Sequence, residues 1–254
     1  IYGSEQVTNG DFSQEGAELV TNGDFATDTD WVKGTGWSIS GGSANCDGTQ
    51  TSNSVFYQNI SSQSNKTVKF SFTVTDYVSG VVETAFFGAA GTITETISAN
   101  GDYTFYINVQ SGHNGNTGFT AKVGFIGSID NVSVKEVGQD WTLGTNWSLG
   151  DSKAIAGGSG GTISQSGGTS GGKTYVLTYT VSDYAFGGVR ARVGDTYGTT
   201  SQANGTYQET IDSQSSGGLE FYNISNTSLS ITNISLKEVL SPDGDFTFTR
   251  GSNL

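Results

Sequence analysis

One nine-residue phrase is written twice in this chain, and no other feature limits its fold as strongly. Ile129-Asp130-Asn131-Val132-Ser133-Val134-Lys135-Glu136-Val137 returns as Ile231-Thr232-Asn233-Ile234-Ser235-Leu236-Lys237-Glu238-Val239. Both copies alternate apolar with polar side chains. The exchanges Val132/Ile234 and Val134/Leu236 respect that alternation, as a half-buried strand requires. Two copies of one closing strand predict two copies of one domain.

Further matched blocks extend the duplication. Asp30-Trp31 corresponds to Asp140-Trp141, and Gly36-Trp37-Ser38 to Asn146-Trp147-Ser148, both 110 residues apart. The segment from Val68 to Tyr77 corresponds to Tyr175 to Tyr184 at an offset of 107, and the closing phrase at 102. A falling offset means that the second copy has shortened its loops and kept its strands. A smaller repeat lies at the start: Val7-Thr8-Asn9-Gly10-Asp11-Phe12 recurs as Val20-Thr21-Asn22-Gly23-Asp24-Phe25. Its first copy has no Trp-containing continuation, so it reads as the opening strand of a module whose remainder is missing, placed to pair with a neighbouring chain. The expected organisation is an N-terminal arm over 1–17, sandwich modules over 18–137 and 138–239, and a tail over 240–254. That tail contains the turn Ser241-Pro242-Asp243-Gly244 and the unfinished strand Asp245-Phe246-Thr247-Phe248-Thr249-Arg250. With no Met and an Ile1-Tyr2-Gly3 start, a processed chain or part of a longer one is expected.

Only 14% of the residues are charged, Gly numbers 38 and Pro 1. No apolar stripe of helical period runs ten residues, whereas period-2 alternation is frequent. Val68, Phe70, Phe72 and Val74 share one face of a strand, Tyr175, Leu177, Tyr179 and Val181 that of its counterpart, and Tyr103, Phe105, Ile107 and Val109 form a further inward row. Gly/Asn/Ser clusters between them supply turns. The predicted fold is all-β: two tandem antiparallel β-sandwich (jelly-roll) domains. Net charge is -13, divided -9 up to Val137 and -4 beyond it. Neither half is basic, which argues against nucleic acid and anionic membranes as partners. No apolar run reaches the roughly 18 residues of a membrane span, and no signal-peptide pattern is present. The single Cys46 rules out a disulfide framework. The single His113 makes a Ser-His-Asp triad or a His-cluster metal site improbable. Eight Asn-x-Ser/Thr sequons occur, as chance allows in so Asn-, Ser- and Thr-rich a chain; Asn131 and Asn233 fall inside predicted strands.

Asn22-Gly23-Asp24-Phe25, the downstream Trp31 and Trp37, and the closing Ile129-to-Val134 phrase together resemble the carbohydrate-binding modules of families 4, 9 and 22, which are galactose-binding-like jelly rolls. The resemblance covers Glu18 to Val137 well and Gln139 to Val239 more weakly. The style of the sequence is similar to structural virion proteins of tailed phages, where such modules recur in tandem. The Asp245–Arg250 segment is similar to segments placed after such modules in phage appendage proteins. The resemblance implies a structural Ca²⁺ tying the first strand to the last in the first module, with Asp130 as side-chain ligand and Asn22 or Asp24 and nearby backbone carbonyls as its partners. In the second copy Thr232 replaces Asp130 and the Asn-Gly-Asp-Phe opening is absent, so no metal is expected there.

Sugar recognition rests on exposed aromatic faces with polar flanks. Trp31, Trp37, Trp141, Trp147, Tyr77 and Tyr184 are aromatic candidates of that kind, of which the recurring Trp37/Trp147 and Tyr77/Tyr184 pairs read as core. Adjacent Phe86 and Phe87 cannot both face inward, and the second copy lacks such a pair; with Tyr57 and Tyr106 they are the candidate carbohydrate-binding residues. No catalytic carboxylate pair stands out. Glu83 and Glu95 read as solvated edge charges. The expected function is a non-enzymatic structural protein of a tailed-phage particle, a fibre or decoration protein on the virion surface. It is expected as a homo-oligomer with other virion proteins as partners, and to contact host glycans. The alternative is a carbohydrate-binding module pair of a secreted bacterial glycosidase or adhesin. Shared residues are expected to be scaffold, and a site is expected where the copies differ.

Overall fold

A computed structural model describes residues 1–88 and 95–240. All of its regular elements are β-strands. The unfinished strand Asp245–Arg250 lies outside the described residues. Contacts divide the described residues into two compact units: Ile1–Gly10, Leu143–Asn146 and 156–240, and Asp11–Thr142 with Trp147–Ile155.

The first module is a sandwich of two antiparallel sheets. The larger has strands 101–108, 67–79, 126–137, 43–47 and 37–40 in that order, with 15–18 also paired to 126–137. The smaller runs 32–33, 54–59, 116–121, 82–86 and 96–97. Strand 67–79 shows why the two close on each other. Val68, Phe70, Phe72 and Val74 are fully buried, and Lys69, Ser71 and Thr73 between them reach the outer face. Across the core, the Phe119 ring of the smaller sheet meets Phe72 at 4.9 Å and Phe70 at 5.4 Å. Phe56 is sandwiched between Trp31 and Trp37, at 4.8 Å from each. Each such ring withdrawn from water contributes roughly 1.5–3 kcal/mol. Cys46 lies in this core, and burial pushes its thiol above the usual range, as befits an inert packing residue.

In the second module the same strands fuse. Strands 173–193 and 217–239 stay paired from Tyr175↔Glu238 through Val193↔Leu219, with register shifts where they bend. The module is therefore one nine-stranded sheet folded over. Tyr179 and Phe221, from its two halves, meet edge-to-face at 5.0 Å. Burial pushes the Tyr179 phenol up to about 12, and it hydrogen-bonds the Ser201 hydroxyl at 2.8 Å.

The N-terminal segment corrects one expectation. It does not wait for a neighbouring subunit: strand 2–5 pairs with 217–239 of its own chain, Tyr2 opposite Val239 and Glu5 opposite Lys237. Strand 15–18 meets 126–137 in the same way, Lys135 opposite Glu18. The two short repeats are thus two openers, and the earlier one serves the later module. The second module has the Asn-Gly-Asp-Phe segment after all, supplied by Asn9-Gly10-Asp11-Phe12.

Each opener docks by the same atoms. Val132 N–H donates to the Gly23 carbonyl at 2.8 Å, and Ile234 N–H to the Gly10 carbonyl at 2.9 Å. Glu18 Oε1 accepts from Val134 N–H at 2.8 Å and its Oε2 from the Ser133 hydroxyl at 2.5 Å. Glu5 does the same to Leu236 and Ser235, at 2.7 and 2.5 Å. The amides of Gln58 and Gln165 each clasp one Thr backbone, Thr21 and Thr8, through both N–H and C=O at 2.8–2.9 Å. Phe25 then packs on Trp31 at 5.4 Å, and Phe12 on Trp141 at 5.2 Å.

This docking explains why the two phrases recur together. The ladder of 126–137 shifts register between Asp130 and Ser133, where Asn131 takes φ 54; Asn233 takes φ 52 at its counterpart. Asn tolerates that left-handed geometry better than most residues. The resulting bulge comes immediately before the Val132 or Ile234 N–H that receives the opener. A Cβ on Gly23 would lie 2.0 Å from the Val132 oxygen, and one on Gly10 the same distance from the Ile234 oxygen. The asparagines at 131 and 233 are therefore architectural.

Candidate functional site

Phe86 is withdrawn from candidacy: it is 3% exposed and packs edge-to-face on Phe70 at 5.8 Å. Its strand neighbour Phe87 is half-buried and meets Tyr57, on the outer side of the smaller sheet, at 5.6 Å in a T-shape. These two rings satisfy each other. Tyr106 stands opposite Lys69 in the larger sheet, so the sandwich separates it from Tyr57 and Phe87, and the four candidates do not form one surface. All four tryptophans are buried.

The side chains expected to hold calcium face their own loops. The Asn22 amide donates to the Thr27 and Thr29 carbonyls at 2.7 and 3.1 Å, Asp24 accepts from Ala26 N–H at 3.3 Å, and Asp130 from Asn131 N–H at 2.6 Å. Among the described residues no group of three His, Cys, Asp or Glu could hold a metal ion. The side chains of Asn22, Asp24 and Asp130 are thus each engaged by backbone groups of their own segment. His113 is buried beneath Phe86, its ring at 5.5 Å. Its Nδ1 accepts from Gln63 N–H at 2.9 Å, which leaves the proton on Nε2, 3.1 Å from the Asn116 carbonyl. Burial holds its pKa below the usual value, and it is a packing residue.

The arrangement with chemical potential lies on the second module, where the sequence singled out nothing. Strand alternation sends Val189, Ala191 and Val193 into the core, and Arg190 and Arg192 to the outer face. Tyr197 pairs opposite Arg192, and Tyr222 opposite Arg190. The Arg190 guanidinium lies over the Tyr197 ring at 4.2 Å; that of Arg192 is 5.7 Å from Tyr197 and 5.5 Å from Tyr222. The two tyrosine rings meet edge-to-face at 5.5 Å. Glu220 accepts from Arg192 at 2.6 Å and from the Tyr222 hydroxyl. Burial and then that hydrogen bond to a carboxylate raise the Tyr222 phenol well above its usual range, so it remains a donor. Tyr197 is 45% exposed. The result is an outer-face cluster of a partly exposed tyrosine, a second tyrosine, two guanidinium cations and one carboxylate.

Among its described residues the first module has nothing equivalent. Ladder register places Glu83 and Ala85 where the second has Arg190 and Arg192, and Gly118 and Thr120 for Glu220 and Tyr222. Glu83 is paired with Lys122 at 2.6 Å. The readable signal was Arg190-Ala191-Arg192, two same-face cations in a chain with 11 Lys and Arg in all, where the other copy has Glu83-Thr84-Ala85.

No protein-family model and no curated protein matches the chain. Among solved structures, it overlaps the N-terminal CBM22-1-CBM22-2 tandem domain of Paenibacillus barcinonensis Xyn10C with 9% identity and a TM-score of 0.36, over 89% of this chain and 99% of that one. It also overlaps an anti-sigma factor domain-containing protein with 10% identity and a TM-score of 0.22, over 80% and 85%. Overlaps this loose say nothing about what the chain binds.

Proposed function

We propose that this protein is a non-catalytic carbohydrate-binding protein whose platform is the Arg190, Arg192, Tyr197, Tyr222 and Glu220 face of the second module. The observation that carries the reading is the exposed Tyr197 ring, held in place by guanidinium and tyrosine neighbours. A pyranose ring stacks its C–H face on such a ring while Arg and Glu bond its hydroxyls, and a platform fixed before binding loses little entropy. Binding of the intact chain to a glycan array, reduced at least tenfold in Tyr197→Ala with melting temperature unchanged, is the expected result. Equal binding by wild type and variant would refute the site.

We propose, as a second function, a structural protein of a tailed-phage particle. Its support is the charge-poor, strand-only construction of both modules. The oligomer argument drawn from an unpaired opener no longer supports it, because that opener is paired within the chain. Stable incorporation into phage particles without glycan binding would favour it.

A further inference from the structure

We infer that the sugar recognised on this face carries a carboxylate, as a uronic acid does. The inference rests on the glycan-platform reading and adds the chemical class of ligand. Its basis is a charge left over. Lysines across the molecule sit on carboxylates: Lys66 on Glu136 at 2.7 Å, Lys69 on Glu15 at 2.6 Å, Lys173 on Glu238 at 2.8 Å. Arg192 has Glu220. Arg190 has no carboxylate and no hydrogen-bond acceptor among the described residues, and its buried Nε is unpartnered.

An unpaired cation beside a paired one is unusual in a chain of net charge -13. Its position is fixed by the ring it lies over: the Arg190 guanidinium carbon is 4.2 Å from the Tyr197 ring centre, so a ligand on that ring would meet the guanidinium. The planar fork of a guanidinium matches a carboxylate, which takes two parallel N–H···O bonds. A sugar stacked on the exposed part of Tyr197 would bring an equatorial C5 carboxylate alongside Arg190. Glu220 keeps Arg192 neutralised, so the face presents one uncompensated positive charge, enough for one carboxylate per binding register.

The test uses the whole chain and three carboxylated polysaccharides, polygalacturonate, alginate and hyaluronate, each beside its methyl-esterified form, with neutral xylan and glucan alongside. The expected result is binding to at least one carboxylated chain, lost on esterification. It should weaken at least tenfold in Arg190→Gln and less in Arg190→Lys, which keeps the charge without the fork. Unchanged melting temperatures would show both variants folded. Binding that survives esterification or Arg190→Gln, or binding confined to neutral glycans, overturns the carboxylate inference and leaves the platform standing. Binding to none of the five polysaccharides overturns both. Sulfated glycans bound in preference to carboxylated ones would also overturn it, since a tetrahedral group would then be the ligand.

Discussion

Substituting Gly10 and Gly23 separately tests the crossed assignment of openers to modules. Neither glycine has a positive φ, so Ala is unstrained at both; the only obstacle is a carbonyl oxygen 2.0 Å from the new Cβ, Ile234 in one case and Val132 in the other. Such an approach cannot be tolerated, and the opener must move off the strand. At the least this orphans the Ile234 N–H, now bonded to Gly10 at 2.9 Å beside a buried side chain, at about 1–3 kcal/mol. It also loosens the Gln165–Thr8 clasp and the Glu5 bonds to Leu236 and Ser235, each worth about 1 kcal/mol or more. We expect Gly10→Ala to destabilise the second module by at least about 2 kcal/mol, which is a roughly 30-fold faster exchange of its slowest amides. Hydrogen exchange read by mass spectrometry should locate that loss in 173–193 and 217–239 and leave 67–79 and 126–137 protected. Gly23→Ala should give the mirror image. If Gly10→Ala instead deprotects 126–137, or leaves 217–239 unchanged, the assignment of the first opener is wrong.

Two further outcomes are expected. Because burial lowers the His113 pKa below 6.5, the unfolded chain binds a proton that the native one refuses, and stability is lost as pH falls through 6.5. The carboxylates of Asp11, Glu15 and Asp47 are held below values of 3.8–4.5, so their loss comes at lower pH; between pH 7 and 5 the melting temperature should fall more in wild type than in His113→Gln, and parallel curves would exclude His113. Calcium titration should leave the melting temperature unchanged, since Asn22, Asp24 and Asp130 are engaged by neighbouring backbone; a rise that Asp130→Asn abolishes would reinstate the ion.

The strands were legible in the sequence because alternation is a local property: Val68 to Val74 and Tyr175 to Val181 announce their inner faces residue by residue. The partner of the first opener was not. Glu5 meets Leu236 across 231 residues, and no local pattern encodes a pairing at that range, although both copies of the Val-Thr-Asn-Gly-Asp-Phe phrase were visible. The adjacency of Phe86 and Phe87 showed that one must face outward, yet ring-to-ring packing with Tyr57 depends on a strand 30 residues away. The Arg190 platform is not encoded locally, for the same reason. Tyr197 and Tyr222 come from two further strands, and only the ladder register sets them beside Arg190 and Arg192.

The crossed openers also have a consequence in time. A ribosome adding ~5–20 residues per second releases Glu5 long before Leu236, 231 positions later, a delay of roughly 12 to 46 seconds. The first module obtains its own opener early and can close while synthesis continues. For the second, the earliest-made segment is the last piece to be installed. During that interval a short strand with unpaired backbone is exposed, and a nascent copy on the same message offers the same acceptor edge. The clasp that completes one molecule is therefore the point at which two growing molecules could exchange strands.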